Sequence, residues 1–260
     1  MDSSDPGKHS ETITAASVGR ALWHLLFLLQ AIMAAELVAL LIERQFLDGV
    51  LVFVIMGATI SPVVLSRRFS MGIPAGLQML AAAFVFAAFF LGELHGYYVR
   101  IWWWDIALHA GSGLLLGIVG FLLVHALNED ARVELSMHPR FIALFAFTFA
   151  VACGALWEIF EFAMDQSFGM RMQKPSESDP SGLTDTMWDI IVDTIGAAAI
   201  SLYGWRAMVR REPSFIDRLI GKFTTAAART LNGTAGWLPK QMREQSFRLV
   251  PAHDTKFGRS

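Results

Sequence analysis

Six long apolar segments constrain the fold of this chain more than any other feature. Each is close to the length of about 20 residues that crosses the hydrocarbon core of a bilayer. Of the 260 residues, 54% are hydrophobic and only 17% are charged, which is typical of a membrane protein. Lipid offers no hydrogen-bond partners to the backbone, so each segment must be helical. We predict an all-α, polytopic membrane bundle with spans near Ala21–Ile42, Gly49–Ser66, Gly72–Gly92, Trp104–Leu127, Arg140–Ala163 and Thr186–Trp205.

The remaining segments are polar or amphipathic. Residues 1–18 are rich in Ser and Thr and predict a disordered tail, followed by a membrane domain over 19–207. In 208–238, apolar residues recur at helical spacing, which indicates an amphipathic helix on the inner leaflet or one packed against cytoplasmic loops. Residues 239–260 are predicted to be flexible. The apolar positions of this helix are Phe215, Ile216, Leu219, Ile220, Phe223, Ala227 and Leu231.

The distribution of basic residues predicts the orientation. With six spans both termini lie on one side, and Lys and Arg favour the cytoplasmic side. The side of the termini collects most of the basic residues, including Arg206, Arg210 and Arg211 directly after the last span. The other side holds only Arg44, Arg100, Arg171 and Lys174. We therefore expect both termini in the cytoplasm and a multi-pass protein of the inner (plasma) membrane. The net charge of −2 and the lack of a basic run give no sign of a nucleic-acid partner.

The acidic residues inside the spans fall in one layer. Span four begins with an Asp-x3-His pair, span five ends with a Glu-x2-Glu pair, and span six carries an Asp-x3-Asp pair in its first half. With the predicted topology all three pairs lie near the extracytoplasmic face. Ionisable groups inside spans are costly and usually mark function. The pairs are Asp105 and His109, Glu158 and Glu161, and Asp189 and Asp193.

Carboxylates gathered at this depth repel one another unless something offsets their charge. No Lys or Arg lies within these spans, so we expect either a bound divalent metal ion or partial protonation. Carboxylates with one imidazole are suitable metal ligands, and the same groups suit a proton relay. A structural polar core is the third interpretation. The candidate metal ligands are Asp105, His109, Glu158, Glu161, Asp189 and Asp193, with Glu161 and Asp193 as candidate catalytic residues.

Three segments resemble the YjdF-like family of bacterial inner-membrane proteins. The similarity covers residues 85–205 and rests on D-x3-H, W-E-x2-E and W-D-x3-D-x2-G-A elements. It extends more weakly to VanZ-like proteins, which tend to have Glu-x2-Gln and Asp-x3-Asn at the later two positions. The resemblance implies a fold and a polar site but no reaction. The segments are "WWWDIALHAGSGLLLGIVGF", "ALWEIFEFAMDQSFGMRMQ" and "GLTDTMWDIIVDTIGA".

These features lead to a functional expectation. A metal-dependent hydrolase or transferase acting on a lipid-linked or envelope substrate fits the site best, because a metal there activates water and a spare carboxylate accepts its proton. A proton- or cation-coupled transporter and a non-catalytic accessory protein are the alternatives. The loop 166–185 is expected to act as a lid over the acidic pocket or as a simple tether. Gly113 and Gly117 indicate a close helix contact.

Overall fold

The computed structural model describes residues 6–68, 73–128, 137–177 and 179–210, and it describes the side chains of 17–68, 73–125 and the two later ranges. These residues form helices and contain no strand. The elements are α1 (Pro6–Ile42), α2 (Phe46–Arg68), α3 (Ala75–Val85), a π-helical segment (Phe86–Leu94), α4 (Tyr97–Arg100), α5 (Trp104–Asn128), α6 (Pro139–Phe168) and α7 (Leu183–Arg210).

The all-α fold predicted from the sequence is confirmed. Six helices are long and apolar enough to cross a membrane, and they match the predicted spans within a few residues. Helix α1 begins at Pro6, so the predicted tail 1–18 overlaps this helix. The described residues end at Arg210. The predicted amphipathic helix (208–238) therefore lies outside them from residue 211 onward, and the segment 239–260 lies outside them entirely.

The six spans pack as two groups of three. Helices α1, α2 and α3, with the π-helical segment, surround apolar cores that contain Met33 and Phe90. Helices α5, α6 and α7 pack against one another around Phe121 and Ala146. Leu77 of α3 belongs to that second core and joins the two groups. Large apolar side chains face outward, as lipid requires; Phe27, for example, is 77% exposed.

Small residues allow α5 and α7 to approach closely. A side chain at Gly113 would collide with the backbone of Asp193 and Ala197, and one at Gly196 would collide with the carbonyl of Ala110. At Gly117 a Cβ would collide with Ile200. The expected small-residue contact is therefore present, and it brings the first turns of α5 alongside the acidic face of α7.

Backbone groups that the helices leave without partners are satisfied locally. Pro62 interrupts α2 and cannot donate to the carbonyl of Ala58, but the Ser61 hydroxyl donates to that carbonyl at 2.8 Å. Helix α6 ends at Gly169, whose φ of +66° gives the left-handed cap that glycine adopts without strain. The Ser61 hydrogen bond lets α2 continue through Pro62, and the Gly169 cap ends α6 where the following loop begins.

Candidate functional site

The three predicted pairs meet at one end of the α5–α7 group. This site end is formed by the start of α5, the end of α6 and the start of α7. Four of the six predicted residues are almost completely buried, namely Glu158, Glu161, Asp189 and Asp193. The other two, Asp105 and His109, retain side-chain exposures of 15% and 12%. The three pairs thus come together at one end of the helices, and the face of the membrane at which this end lies stays a prediction.

The imidazole of His109 is the centre of the site. Its Nε2 lies 3.6 Å from Asp105 Oδ1 and 3.5 Å from Asp189 Oδ2. Its Nδ1 lies 3.2 Å from Asp193 Oδ2. Each ring nitrogen therefore faces carboxylate oxygen, and the two nitrogens face different carboxylates.

One nitrogen of this ring faces a group of potential metal ligands. The ligand atoms of Asp105, His109 and Asp189 all lie within 4.8 Å of one another. Asp189 Oδ2 is buried and has no hydrogen-bond partner among the described residues. A buried oxygen without a donor is costly, so this atom points to a ligand of the site.

The other nitrogen faces an oriented carboxylate. The Ser112 hydroxyl contacts Asp193 Oδ1 through a short hydrogen bond and lies 2.7 Å from the backbone carbonyl of His109. Gly154 of α6 leaves room for this carboxylate, because a Cβ there would lie 2.7 Å from Asp193 Oδ2. Asp193 is therefore bonded to two side chains of α5 and fits into the space that Gly154 leaves on α6.

The two glutamates of α6, Glu158 and Glu161, add two further carboxylates to the site. Trp157 Nε1 donates to Glu161 Oε1 at 2.8 Å, whereas Glu161 Oε2 has no partner among the described residues. Neither oxygen of Glu158 makes a hydrogen bond of normal geometry within the described part of the chain, although the Thr186 hydroxyl lies near this carboxylate. Both glutamates lie close enough to His109 for their charges to interact. The site thus contains more carboxylate oxygens than protein donors.

A basic side chain reaches the site from the loop between α6 and α7. Lys174 Nζ lies 2.6 Å from Asp105 Oδ2 and 3.4 Å from Asp185 Oδ2. Burial lowers the pKa of this ammonium, but the neighbouring aspartates outweigh it and raise the pKa above its ordinary value. Lys174 thus adds a positive charge from a loop beside spans that hold no Lys or Arg at this level, and the offset of the remaining acids by a bound ion or by protons stays a prediction. A lysine stem is long enough to bring its charge down from a loop.

Tyr98 of α4 closes the site beside this lysine. The Lys174 ammonium lies 4.8 Å from the centroid of its ring. Burial, followed by the charge of Asp105 and other nearby acids, raises the pKa of the phenol, which stays neutral. Sequence reasoning missed Tyr98, Lys174 and Ser112 as parts of the site. Only Ser112 carried a local signal, since it lies three residues after His109 on the same face of α5.

Two further acids at this end of the bundle have other partners. Asp165 follows Glu161 by one turn of α6, but its carboxylate accepts from the backbone N–H groups of Met172 and Gln173 at 2.7 and 3.0 Å. It anchors the loop. Asp185 lies in the first turn of α7 and pairs with Lys174.

The fold and the site together define a class: a six-span α-helical membrane protein with a buried carboxylate–histidine cluster at one end of its C-terminal half. The chain belongs to the family described as "Predicted membrane protein (DUF2238)", whose sequence model matches residues 25–210. An uncharacterized protein of Thermotoga maritima is 25% identical over 183 residues, which cover 70% of this chain and 90% of that protein. No solved structure matches the chain.

Proposed function

We propose that this protein is a membrane-embedded, metal-dependent enzyme that hydrolyses or transfers groups on a lipid-linked or envelope substrate. The observation that carries this proposal is the placement of His109, with Nε2 facing Asp105 and Asp189 and Nδ1 facing Asp193. In metal sites a histidine ligand commonly donates its second ring N–H to a carboxylate, which fixes the tautomer and aims the first nitrogen at the metal.

Distances around Nε2 support a metal at this point. Nitrogen and oxygen ligands lie about 2.1 Å from a divalent ion such as Zn²⁺, so neighbouring corners of a tetrahedron are about 3.4 Å apart. The separations from Nε2 to Asp105 Oδ1 and Asp189 Oδ2 are 3.6 and 3.5 Å. Asp105, His109 and Asp189 would hold the ion with three protein ligands, the number that catalytic zinc sites have, and would leave room for water or substrate.

Asp193 then has a positioning role. Its Oδ2 accepts from His109 Nδ1–H, while Ser112 holds Oδ1. This differs from the catalytic role expected for Asp193 from the sequence. Of the six metal ligands expected from the sequence, we propose that Asp105, His109 and Asp189 bind the ion. The two glutamates of α6 are then available for proton transfer.

The ion, when bound, makes water acidic enough to act as a nucleophile near neutral pH. Glu161 and Glu158 present buried oxygens without donors, so either is suited to accept the proton of that water. Trp157 fixes one oxygen of Glu161 and leaves Oε2 free for this purpose. We propose Glu161 as the general base, with Glu158 adding negative charge that favours a cation.

The interior beyond the site favours an enzyme over a transporter. A relay across the membrane needs polar groups that continue to the opposite end. Below the site, the core of α5–α7 is mostly apolar, with Ile118, Phe121 and Ala146, and its buried polar residue among the described ones is Ser201. The similarity to YjdF-like and, more distantly, VanZ-like proteins supports a bacterial inner-membrane location and is neutral with respect to reaction.

Metal analysis and thermal unfolding in detergent test the metal site. We expect a divalent metal to copurify and a chelator to lower the Tm, since metal binding stabilises the folded state. Asp189→Asn removes a ligand while keeping the side-chain shape, so its Tm no longer responds to chelator. Glu36→Gln is the matched control, because Glu36 lies on α1 in the other helix group, and it retains the response. A wild-type protein without metal and indifferent to chelator refutes the proposal.

The enzymatic part needs a separate assay. Metal-loaded protein is incubated with total envelope lipids of a bacterium, and mass spectrometry follows the loss or transfer of headgroups. We expect turnover by wild type and none by Glu161→Gln or Asp189→Asn. A metal-bound wild type that changes no lipid species, with substrate present in excess, supports the accessory alternative instead.

A further inference from the structure

Lys174 brings a positive charge to the edge of the site. Its ammonium contacts Asp105 Oδ2 and Asp185 Oδ2 and lies over the ring of Tyr98. The side chain is 28% exposed, so one side of it faces the surroundings of the protein. Among the described residues it is the cation that contacts the carboxylates of this site.

The loop holds Lys174 in place through several independent contacts. Asp165 accepts from the backbone of the two residues before it, Met172 and Gln173. Gln173 is buried, and its side chain donates to Thr186 Oγ1 at 2.8 Å. Lys174 itself has φ +44°, a conformation that non-glycine residues rarely adopt. Such strain persists only where the surroundings enforce it, and it clusters at functional sites.

Asp105 places this ammonium next to the proposed metal. Its Oδ1 faces His109 Nε2 and its Oδ2 faces Lys174 Nζ. With a metal held at Nε2, this carboxylate would lie between two positive charges. Two adjacent cations can hold an oxyanion, as paired metals do for phosphate, and lysine serves as a phosphate-binding point charge in proteins. Without them the surrounding acids would repel any anion.

The site lies at the depth of lipid headgroups. Asp105 and Asp185 belong to the first turns of α5 and α7, and Asp189 lies one turn, about 6 Å, deeper. Trp102 and Trp103 immediately before α5 are 82% and 46% exposed. Exposed tryptophans next to a span mark the membrane interface. A site at this level would lie next to the phosphates of the lipids.

We propose that the site recognises a phosphate group, bound between the metal and the Lys174 ammonium. This inference rests on the proposed metal site and names the substrate class for it. The phosphate belongs to a phosphorylated amphiphile in the membrane or to a free phosphate compound outside it. Lys174 is the residue that selects an anionic group over a neutral one.

Protein loaded with Mn²⁺ tests this inference, because the ion broadens the ³¹P signal of any phosphate bound beside it. One arm adds inorganic phosphate to protein in detergent. The other uses nanodiscs that contain phosphatidic acid, an anionic phosphomonoester. Nanodiscs of phosphatidylcholine, a phosphodiester without net charge, are the reference. Broadening in the first arm alone assigns a soluble source, and broadening by phosphatidic acid assigns a lipid source. The variants are Lys174→Gln, Lys174→Arg and the loop control Arg171→Gln, whose side chain bonds Pro175 O.

We expect Lys174→Gln to weaken phosphate binding by about tenfold to a hundredfold, the usual effect of losing a charged hydrogen bond. Its Mn²⁺ affinity stays equal or rises, because a competing charge next to Asp105 is gone. Lys174→Arg and Arg171→Gln retain phosphate binding, which shows that the loop is still folded. Mn²⁺ binding without ³¹P broadening in either arm, or broadening unchanged in Lys174→Gln, overturns this inference alone. Absence of Mn²⁺ binding by wild type overturns the proposed metal site as well.

Discussion

His109 Nδ1 lies 3.2 Å from Asp193 Oδ2, and the two side chains come from helices that touch through glycine. The bond crosses between α5 and α7 at a depth where water is scarce, so it fixes the ring more firmly than an exposed contact would. The other ring nitrogen, Nε2, therefore faces Asp105 and Asp189. The orientation of one ring thus connects the packing of the bundle to the chemistry of the site.

Asp193→Asn tests this orientation. The amide keeps the volume of the carboxylate but is a weaker acceptor for His109 Nδ1–H, so metal affinity should fall about tenfold to a hundredfold. Calorimetric metal titration measures the loss, and ¹⁵N NMR of the imidazole shows whether the Nδ1–H tautomer persists. Thr194→Val, one residue further along α7, is the control. Unchanged affinity in Asp193→Asn contradicts the positioning role.

Glu161→Gln separates a metal site from a protonated cluster. With metal bound, the substitution should lower the metal affinity by about tenfold and lower the Tm, because one offsetting charge is lost. In chelated protein it should be neutral or stabilising, because a source of repulsion disappears. Thermal unfolding with and without chelator measures both. A mutant that is more stable than wild type under both conditions supports a proton site.

Gly113→Ala should disturb the α5–α7 contact. The added methyl meets the Ala197 backbone nitrogen at 3.0 Å and lies closer still to the carbonyl of Asp193. Overpacking of this kind costs roughly 1–3 kcal/mol. Gly111→Ala, which meets nothing within 4 Å, is the matched control and should be neutral or slightly stabilising. Equal Tm values for the two variants would contradict the close approach of these helices.

Asp179 should give the start of α7 a pH dependence. The Ser181 hydroxyl and the Thr184 backbone N–H hydrogen-bond its carboxylate and lower its pKa from 3.8 to about 2. Because the folded pKa is lowered, the stabilisation is present above pH 3.8 and is lost as the pH falls through about 2. Carbon-13 NMR of the carboxyl group measures the midpoint. Ser181→Ala should move it upward, and a wild-type midpoint near 3.8 would refute the assignment.

The orientation of the chain in the membrane remains a prediction from its basic residues. We expect both termini in the cytoplasm, which places the site at the extracytoplasmic face. A reporter fused after Ser260 should be active only if it is a cytoplasmic reporter. Activity of an exported reporter at this position would place the site at the cytoplasmic face.

The spans and the meeting of the three pairs at one end of the bundle could be predicted because both depend on local features of the sequence. Hydrophobic length defines a span, and alternation of spans puts Asp105, Glu161 and Asp189 at the same level. The contact at Gly113 was also readable, since small residues at helical spacing are what close packing requires. These properties do not depend on which residues distant in sequence contact one another.

The contacts between residues distant in sequence could not be predicted in this way. Asp165 and Glu161 lie one turn apart on α6, yet one binds the loop backbone and the other enters the site. Lys174 reaches Asp105 across 69 positions of sequence, and no periodicity indicates this contact. The change from α- to π-helical bonding at Phe86 likewise carries no pattern of its own.

That π-helical segment decides how the chain after it meets the site. Within it the His95 N–H donates to the carbonyl of Phe90, five residues back, instead of four. Gly92 lies beneath the ring of Tyr98, where a Cβ would be 2.7 Å from Cζ, and that ring lies over Lys174. If the same residues formed an α-helix instead, everything that follows would turn by about 100° relative to the helix before it. The wider backbone turn between Phe86 and Leu94 thus places the ring of Tyr98 over the lysine.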